Sequence, residues 1–272
     1  MPAPPVALSD AQDQRFDDYR ALNDQAYRRA YEGDELFVAE GFVAIDRLIE
    51  SGHEIRSVLL APSRVERFST QLATLGERGV PVYVAAKDVI TAAVGFDLHR
   101  GVVAVARRRD HPSVAEVAVT GSRFAVLEGL NDAENLGAIA RAARALGIDA
   151  LIVDARSTDP YSRRSVRVSM GEILLLPIAR PAAEDWSDVL GELGRAGVAT
   201  WAMSPMPTAE SIWDLEVPQR LAVVLGAEGP GLDRRTIERA TRTVRIPLRA
   251  GVDSLNVGHA AAVTFAAIGR PP

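Results

Sequence analysis

Apolar residues fall into short runs separated by amphipathic stretches, and that alternation sets the first expectation of architecture. LFVAEG (Leu36 to Gly41), IRSVLLA, VPVYVA and GVVAVA read as buried strands, because apolar runs of four to eight residues bounded by turn formers are too short for helices. Between them, FVAIDRLIES, the stretch from Ser63 to about Glu77 with Gly79 beyond it, and Lys87 to Val94 carry apolar residues at helical spacing. Ahead of these, residues 1 to about 12 read as a Pro/Ala tail and Gln14 to Tyr31 as one polar, arginine-rich helix. Strands and helices in alternation predict an α/β domain over residues 1–110. Pro112, several small residues and Gly121 place a linker at 111–122.

A second domain, 123–272, resumes the pattern with the strand FAVLEGL and then NDAENLGAIARAARALGIDALIVD, a helix followed by a strand. On that helix Leu136, Ile139, Ala140, Ala143 and Leu146 form one apolar stripe, Arg141 falls almost opposite it, and Asn135 stands where an N-cap belongs. An arginine-rich helical turn (YSRRSVRVSMG), a strand (ILLLPIA), a helix (WSDVLGELGRAG) and a strand (VATWAM) follow. Two further apolar runs, Leu221 to Leu225 and Val244 to Leu248, each break into a loop and then a helical pattern. The first loop holds Glu228 among Gly226, Gly229 and Gly231, and the second holds Ser254 and Asn256. Ligands of open α/β sheets sit beyond the carboxyl ends of the strands. One pocket is therefore expected to gather Asn135, Glu228, Ser254 and Asn256, with Arg141 one to two helical turns behind.

Composition narrows the chemistry. The chain has 272 residues, no cysteine and four scattered histidines, which leaves no thiol nucleophile, no disulfide framework and no expected metal site. No apolar run approaches the ~20 residues that span a bilayer, and MPAPPVALSD lacks a leader pattern, so a cytoplasmic protein is expected. The net charge of −5 argues weakly against nucleic acid, but Lys87 is the single lysine, so the positive charge is almost all arginine, the side chain suited to phosphates and base stacking. Arginines cluster at Arg28–Arg29, Arg107–Arg109, Arg163–Arg164–Arg167 and Arg234–Arg245. GAEGPGL has neither dinucleotide-loop nor P-loop spacing, and no Gly-x-Ser-x-Gly elbow is present. Taken singly, each feature has a plain structural reading: a capped helix with a solvated arginine, a tight glycine turn, and Ser254 as the N-cap of the last helix.

The ordered combination goes further. Asn-x-Gly-x-x-x-Arg (Asn135, Gly137, Arg141), Leu-Gly-x-Glu-x-x-Gly (Leu225 to Gly231) and Ile-Pro…Ser-Leu-Asn-Val (Ile246 to Val257) resemble the three motifs of the SpoU, or TrmH-type, RNA 2′-O-ribose methyltransferases of the SPOUT superfamily. The N-terminal part resembles that family's substrate-binding domain, an α/β unit similar to small ribosomal proteins. The resemblance implies S-adenosylmethionine as methyl donor, a homodimer, and a parallel-sheet catalytic domain with a deep trefoil knot, which general topology rules would have excluded. It implies RNA as substrate, with the N-terminal domain favouring ribosomal over transfer RNA. It makes Asn135, Arg141, Glu228, Ser254 and Asn256 the candidates for catalysis or RNA positioning, and Leu225, Gly226, Gly231, Ile246, Leu248 and Leu255 the cofactor's border. Where the family often has serine and a small residue after the last motif, Gly258 and His259 stand here.

Arginine is a poor base because its pKa exceeds ~12, so Arg141 is assigned first to gripping RNA phosphate. The base stays open between Glu228, a deprotonated arginine and the phosphate itself. Ala138, Ala142 and Ala145 offer a close-packing face for a dimer, and Arg20, Arg28, Arg29 and Arg100 are candidate RNA contacts of the first domain. Two rival readings are a non-catalytic RNA-binding protein of the same fold and an unrelated nucleotide-binding α/β enzyme.

Overall fold

Strand pairing in the first 109 residues follows the apolar runs. The computed structural model describes residues 4–98, 100–184 and 186–269. Strands β1 (Val6–Leu8), β2 (Leu36–Glu40), β3 (Ile55–Leu60), β4 (Val82–Ala85) and β5 (Val102–Arg107) form one sheet in the order β1-β4-β3-β5-β2. β5 runs antiparallel to both neighbours, and the remaining pairs are parallel. Helices α1 (Gln25–Glu32), α2 (Phe42–Ser51), α3 (Ser69–Glu77) and α4 (Lys87–Val94) accompany it. β2 and β5 are almost continuously buried, which is why they read as unbroken apolar runs rather than alternating ones.

Two expectations fail here. The tail, whose residues 1–3 lie outside the described set, contains β1, a strand added in parallel to β4. The single helix from Gln14 to Tyr31 is a 3₁₀ turn at Gln14–Tyr19 followed by α1. Asp13 and Asp24 cap the two pieces through their own side chains, so each short segment has its own start signal.

The second sheet is wholly parallel and has seven strands: β6 (Arg123–Glu128), β7 (Ala150–Val153), β8 (Ile178–Ala179), β9 (Ala199–Met203), β10 (Glu210–Ser211), β11 (Leu221–Gly226) and β12 (Arg242–Arg245), in the order β10-β12-β9-β11-β6-β7-β8. One core gathers Phe124, Val126, Ile152 and Val224 from the strands with α5 (Val114–Thr120) and α8 (Val189–Arg195). α6 (Ala133–Ala145) and α10 (Val257–Ile268) pack on each other. α7 (Arg163–Val168) and α9 (Arg234–Arg239) complete the set.

By contact, Met1–Arg109 with Tyr161–Leu175 form one unit, and Asp110–Pro160 with Leu176–Pro272 form the other. The expected linker at 111–122 is instead the site of α5, started by a reciprocal Ser113/Glu116 capping box and held in the core by Val114, Val117 and Ala118. Tyr161–Leu175, expected within the second domain, packs with the first because Arg163 donates to the buried Glu40 carboxylate at 2.6 Å and Tyr161 lies against Phe37 and His53. The strand ILLLPIA shortens to a 3₁₀ turn, Glu172–Leu175, and the two residues of β8, since Pro177 brings no N–H to a ladder.

Candidate active site

The motif helix α6 starts one turn earlier than expected. Asp132 is its N-cap, accepting from Glu134 N at 2.7 Å, so Asn135 lies in the first turn rather than at the cap. It is 8% exposed. Leu136, Ile139, Ala140 and Ala143 are buried along the expected stripe, Leu146 is half-buried, and Arg141 is exposed. Burying such side chains stabilises by about 1.5–3 kcal/mol for each large aliphatic residue. Arg141 contributes nothing to that face.

α10 starts at Asn256, not Ser254. Asn256 Oδ1 accepts from Gly258 N at 2.9 Å and His259 N at 3.3 Å. The same side chain uses both hydrogens of its amide nitrogen, donating to Asn135 Oδ1 at 2.9 Å and to Glu228 Oε1 at 2.5 Å. Val257 N also donates to Glu228 Oε1, at 3.3 Å. Three of the five candidates thus converge on one amide, which has two donors and two acceptor sites and uses all of them. Asn256 is held in one orientation, and Glu228 Oε2 has no partner among the described residues. Gly258 lets the helices approach: a Cβ there would come 3.3 Å from Ala138 Cβ and 3.2 Å from Asn256 Oδ1.

Ser254 is exposed and outside this network, and Arg141 makes no hydrogen bond or ion pair among the described residues. Of the expected cofactor border, Leu225 is buried at the end of β11; Gly226, Ile246 and Leu248 are half-buried; Gly231 and Leu255 are exposed. β12 ends at Arg245, before Pro247, so Ile246 and Leu248 belong to the loop rather than to the expected strand. Gly226 cannot carry a side chain, because a Cβ would lie 2.4 Å from the Gly231 carbonyl carbon, where the loop folds back through an Ala227–Gly231 bridge. Between Ile246 and Leu255 one backbone hydrogen bond forms among the described residues, Val252 N to Arg249 O. The backbone of that stretch lies beside the half-buried side chains of Ile246 and Leu248.

Two carboxylates escaped the motif-based reading. Glu128, 2% exposed at the end of β6, accepts from Asp233 N at 2.7 Å, Thr236 Oγ1 at 2.6 Å and Trp186 Nε1 at 3.1 Å. It braces the exit of the Leu225–Gly231 loop. Asp154, 1% exposed after β7, accepts from Gly129 N, Ser157 N and Arg156 Nε. Each closes an otherwise apolar strand, FAVLE and LIVD, and an acidic residue in that position was the available signal. Both line a cleft of about 520 Å³ with Val126, Trp186, Thr236 and Arg239, and none of the five motif candidates lines it. No group of three or more metal-ligating side chains gathers among the described residues, and no described helix is long and apolar enough to cross a membrane.

The three candidates that meet, Asn135, Glu228 and Asn256, therefore stand on a loop and two helix starts beyond strands of a parallel sheet. The chain belongs to the SpoU rRNA methylase family, whose model matches residues 122–266, and a second model, for RNA 2′-O ribose methyltransferase substrate binding, matches residues 38–112. A protein of Mycobacterium tuberculosis described as an uncharacterized tRNA/rRNA methyltransferase is 40% identical over 95% of this chain and 89% of its own length. A 23S rRNA (guanosine-2′-O-)-methyltransferase of Bordetella pertussis is 30% identical over 83% of this chain and 94% of its own. The AdoMet-bound crystal structure of an rRNA methyltransferase from Sinorhizobium meliloti superposes with a TM-score of 0.79 at 26% identity, covering 96% of both chains. Membership makes the protein an RNA methyltransferase, and the cofactor of that family is S-adenosylmethionine.

Proposed function

We propose that the enzyme methylates a ribose 2′-hydroxyl of ribosomal RNA in the cytoplasm, using S-adenosylmethionine. The observation that carries this reading is the joining of Asn135, Glu228 and Asn256 through one fully engaged amide. S-adenosylmethionine supplies an electrophilic sulfonium methyl when bound. The loops of Gly226, Gly231, Ile246, Leu248 and Leu255 would hold it through backbone groups and apolar contact. Asn256 positions rather than reacts, since its amide has no capacity left. Glu228, through its unpartnered Oε2, takes the proton of the attacking hydroxyl. Arg141, exposed and without an acid partner among the described residues, grips an RNA phosphate, and its fork fixes the ribose at near-attack distance. Ser254, exposed ahead of Asn256, contacts the substrate.

The ribosomal target is supported by the Bordetella relative's name and by the substrate-binding model over residues 38–112. The first unit supplies RNA affinity and the second the chemistry. The C-terminal segment forms a deep trefoil knot. The chain path supports it: β12 lies outside β9, yet α10, which follows it, packs on α6, whose strand β6 is central. The protein is a homodimer, for which Ala138 and Ala145 offer an exposed small-residue face on α6.

The deciding experiment is transfer of labelled methyl from S-adenosylmethionine to deproteinised ribosomal RNA and, separately, transfer RNA, followed by mapping of ribose methylation. A 2′-O-methyl group in ribosomal RNA is expected. Methylation confined to bases or to transfer RNA would defeat the reading.

A further inference from the structure

This inference rests on the enzyme's acting on RNA. In the first unit the chain brings Gly41, Ala61 and Gly101 side by side: Gly41 N donates to the Val102 carbonyl and Ala61 N to the Gly101 carbonyl, each at 3.0 Å. Gly41 has φ +95° and Gly101 φ +66°, conformations that suit glycine. Over each bare α-carbon lies an arginine. A Cβ on Gly41 would come 2.7 Å from Arg100 Cδ and 2.9 Å from its Nη1, and one on Gly101 would come 3.0 Å from Arg64 Nε. Beside them Arg67 holds its guanidinium 4.6 Å above the Phe42 ring, an attractive cation–π geometry that limits its freedom.

Three arginines are thus seated on backbone and ring, and none of them pairs with a carboxylate among the described residues. The nearby acids do not neutralise them: Glu40 is bound by Arg163 and Asp97 by Lys87, while Glu66, in the chain between Arg64 and Arg67, makes no ion pair among the described residues. Other arginines of the unit are held by partners. Arg20 pairs with Asp17, and Arg28, 6% exposed, pairs with Glu32 and donates to the Asp18 carbonyl. Arg20 and Arg28, expected as RNA contacts, therefore brace the fold instead. Clustered cations without acids repel one another, so seating them on glycine carbons is justified by an anion that arrives from outside.

We propose that Arg64, Arg67 and Arg100 form a docking surface for backbone phosphates of the RNA substrate. The planar guanidinium fork matches phosphate oxygens bidentately. Each phosphate neutralised by a cation adds roughly 0.7–0.9 to the magnitude of the slope of log affinity against log salt. The test uses the full chain, deproteinised 23S ribosomal RNA as probe, and vesicles containing phosphatidylserine as the alternative anion. In Arg64→Ala/Arg67→Ala/Arg100→Ala the slope should flatten by about two to three, and at 0.1 M salt affinity should fall about a hundredfold. The thermal midpoint and S-adenosylmethionine affinity should stay as in the wild type. Gly101→Ala keeps every charge but unseats Arg64, and should give a smaller loss. An unchanged slope and affinity in the triple variant would overturn the surface, as would vesicle binding without RNA binding. A wild-type protein that binds RNA but methylates none would strike the proposed function and leave the surface standing.

Discussion

Asn256→Asp isolates the polar centre from the helix it begins. Aspartate caps as well as asparagine does, so the bonds from Gly258 N and His259 N to Oδ1 survive. The lost amide nitrogen is replaced by an oxygen facing Glu228 Oε1, now 2.5 Å away. Losing a hydrogen bond to a charged group costs about 1.5–3 kcal/mol. Two like charges at that separation repel by between one and two kcal/mol in the fully solvated limit, which suits the exposed Glu228. Relaxation removes part of the sum, leaving a deficit of about 2–4 kcal/mol at neutral pH. In the variant the paired carboxylates bind a proton more tightly folded than unfolded. Stability is then recovered as pH falls toward the unfolded carboxylate value, roughly 4, and lost as pH rises through the raised folded value. Urea midpoints of wild type, Asn256→Asp and Asn256→Ala at pH 7.5 and 5 measure this. Asn256→Ala should lose the cap as well, about 0.5–2 kcal/mol more, with no recovery at low pH. A deficit of Asn256→Asp equal at both pH values, or under about 0.5 kcal/mol at neutral pH, would refute the reasoning.

Other perturbations separate structure from chemistry. Arg141→Ala should change stability by less than about 0.5 kcal/mol, as at other exposed sites, while single-turnover methyl transfer collapses and cofactor affinity holds. Arg141→Lys should rescue little if the fork matters, and near-normal turnover of Arg141→Ala returns the residue to a solvated surface. Glu128→Ala strands three donors, two of them half-buried, and should cost about 2–3 kcal/mol. It should also raise amide exchange at Asp233; an unchanged exchange pattern would show that the brace is idle. His53 Nδ1 faces the Arg107 carbonyl at 3.0 Å and so carries the hydrogen. Burial pulls its pKa below the usual histidine value, with Arg109 adding to the effect against the carbonyl bond. Its stabilising contribution is present above the unfolded pKa, roughly 6.5, and lost as pH falls through the lower folded value. His53→Gln should therefore lose less stability than the wild type between pH 7.5 and 5.5, and parallel pH profiles in denaturant melts would refute that.

The sequence by itself determined the alternation of strands and helices, because buried runs and amphipathic stretches are local statements about which side chains avoid water. It also determined where these loops fall, since glycine and a polar residue after an apolar run mark a turn wherever the sheet lies. Asn135, Glu228 and Asn256 were legible as motif members for that reason. What joins them was not legible: Asn256 lies 121 positions beyond Asn135, and no local pattern says that a single amide bridges them. Caps moved for a related reason. Asp132 and Asn256 compete with Asn135 and Ser254 for the same role, and only backbone geometry decides which oxygen reaches an N–H. Parallel pairing gave Glu128 and Asp154 their weight, because a carboxylate at a strand's end matters only once another segment's donors surround it. The ownership of Tyr161–Leu175 was likewise a tertiary decision: Arg163 finds its buried partner, Glu40, 123 positions away, and a buried carboxylate takes a cation from whatever part of the chain can supply one.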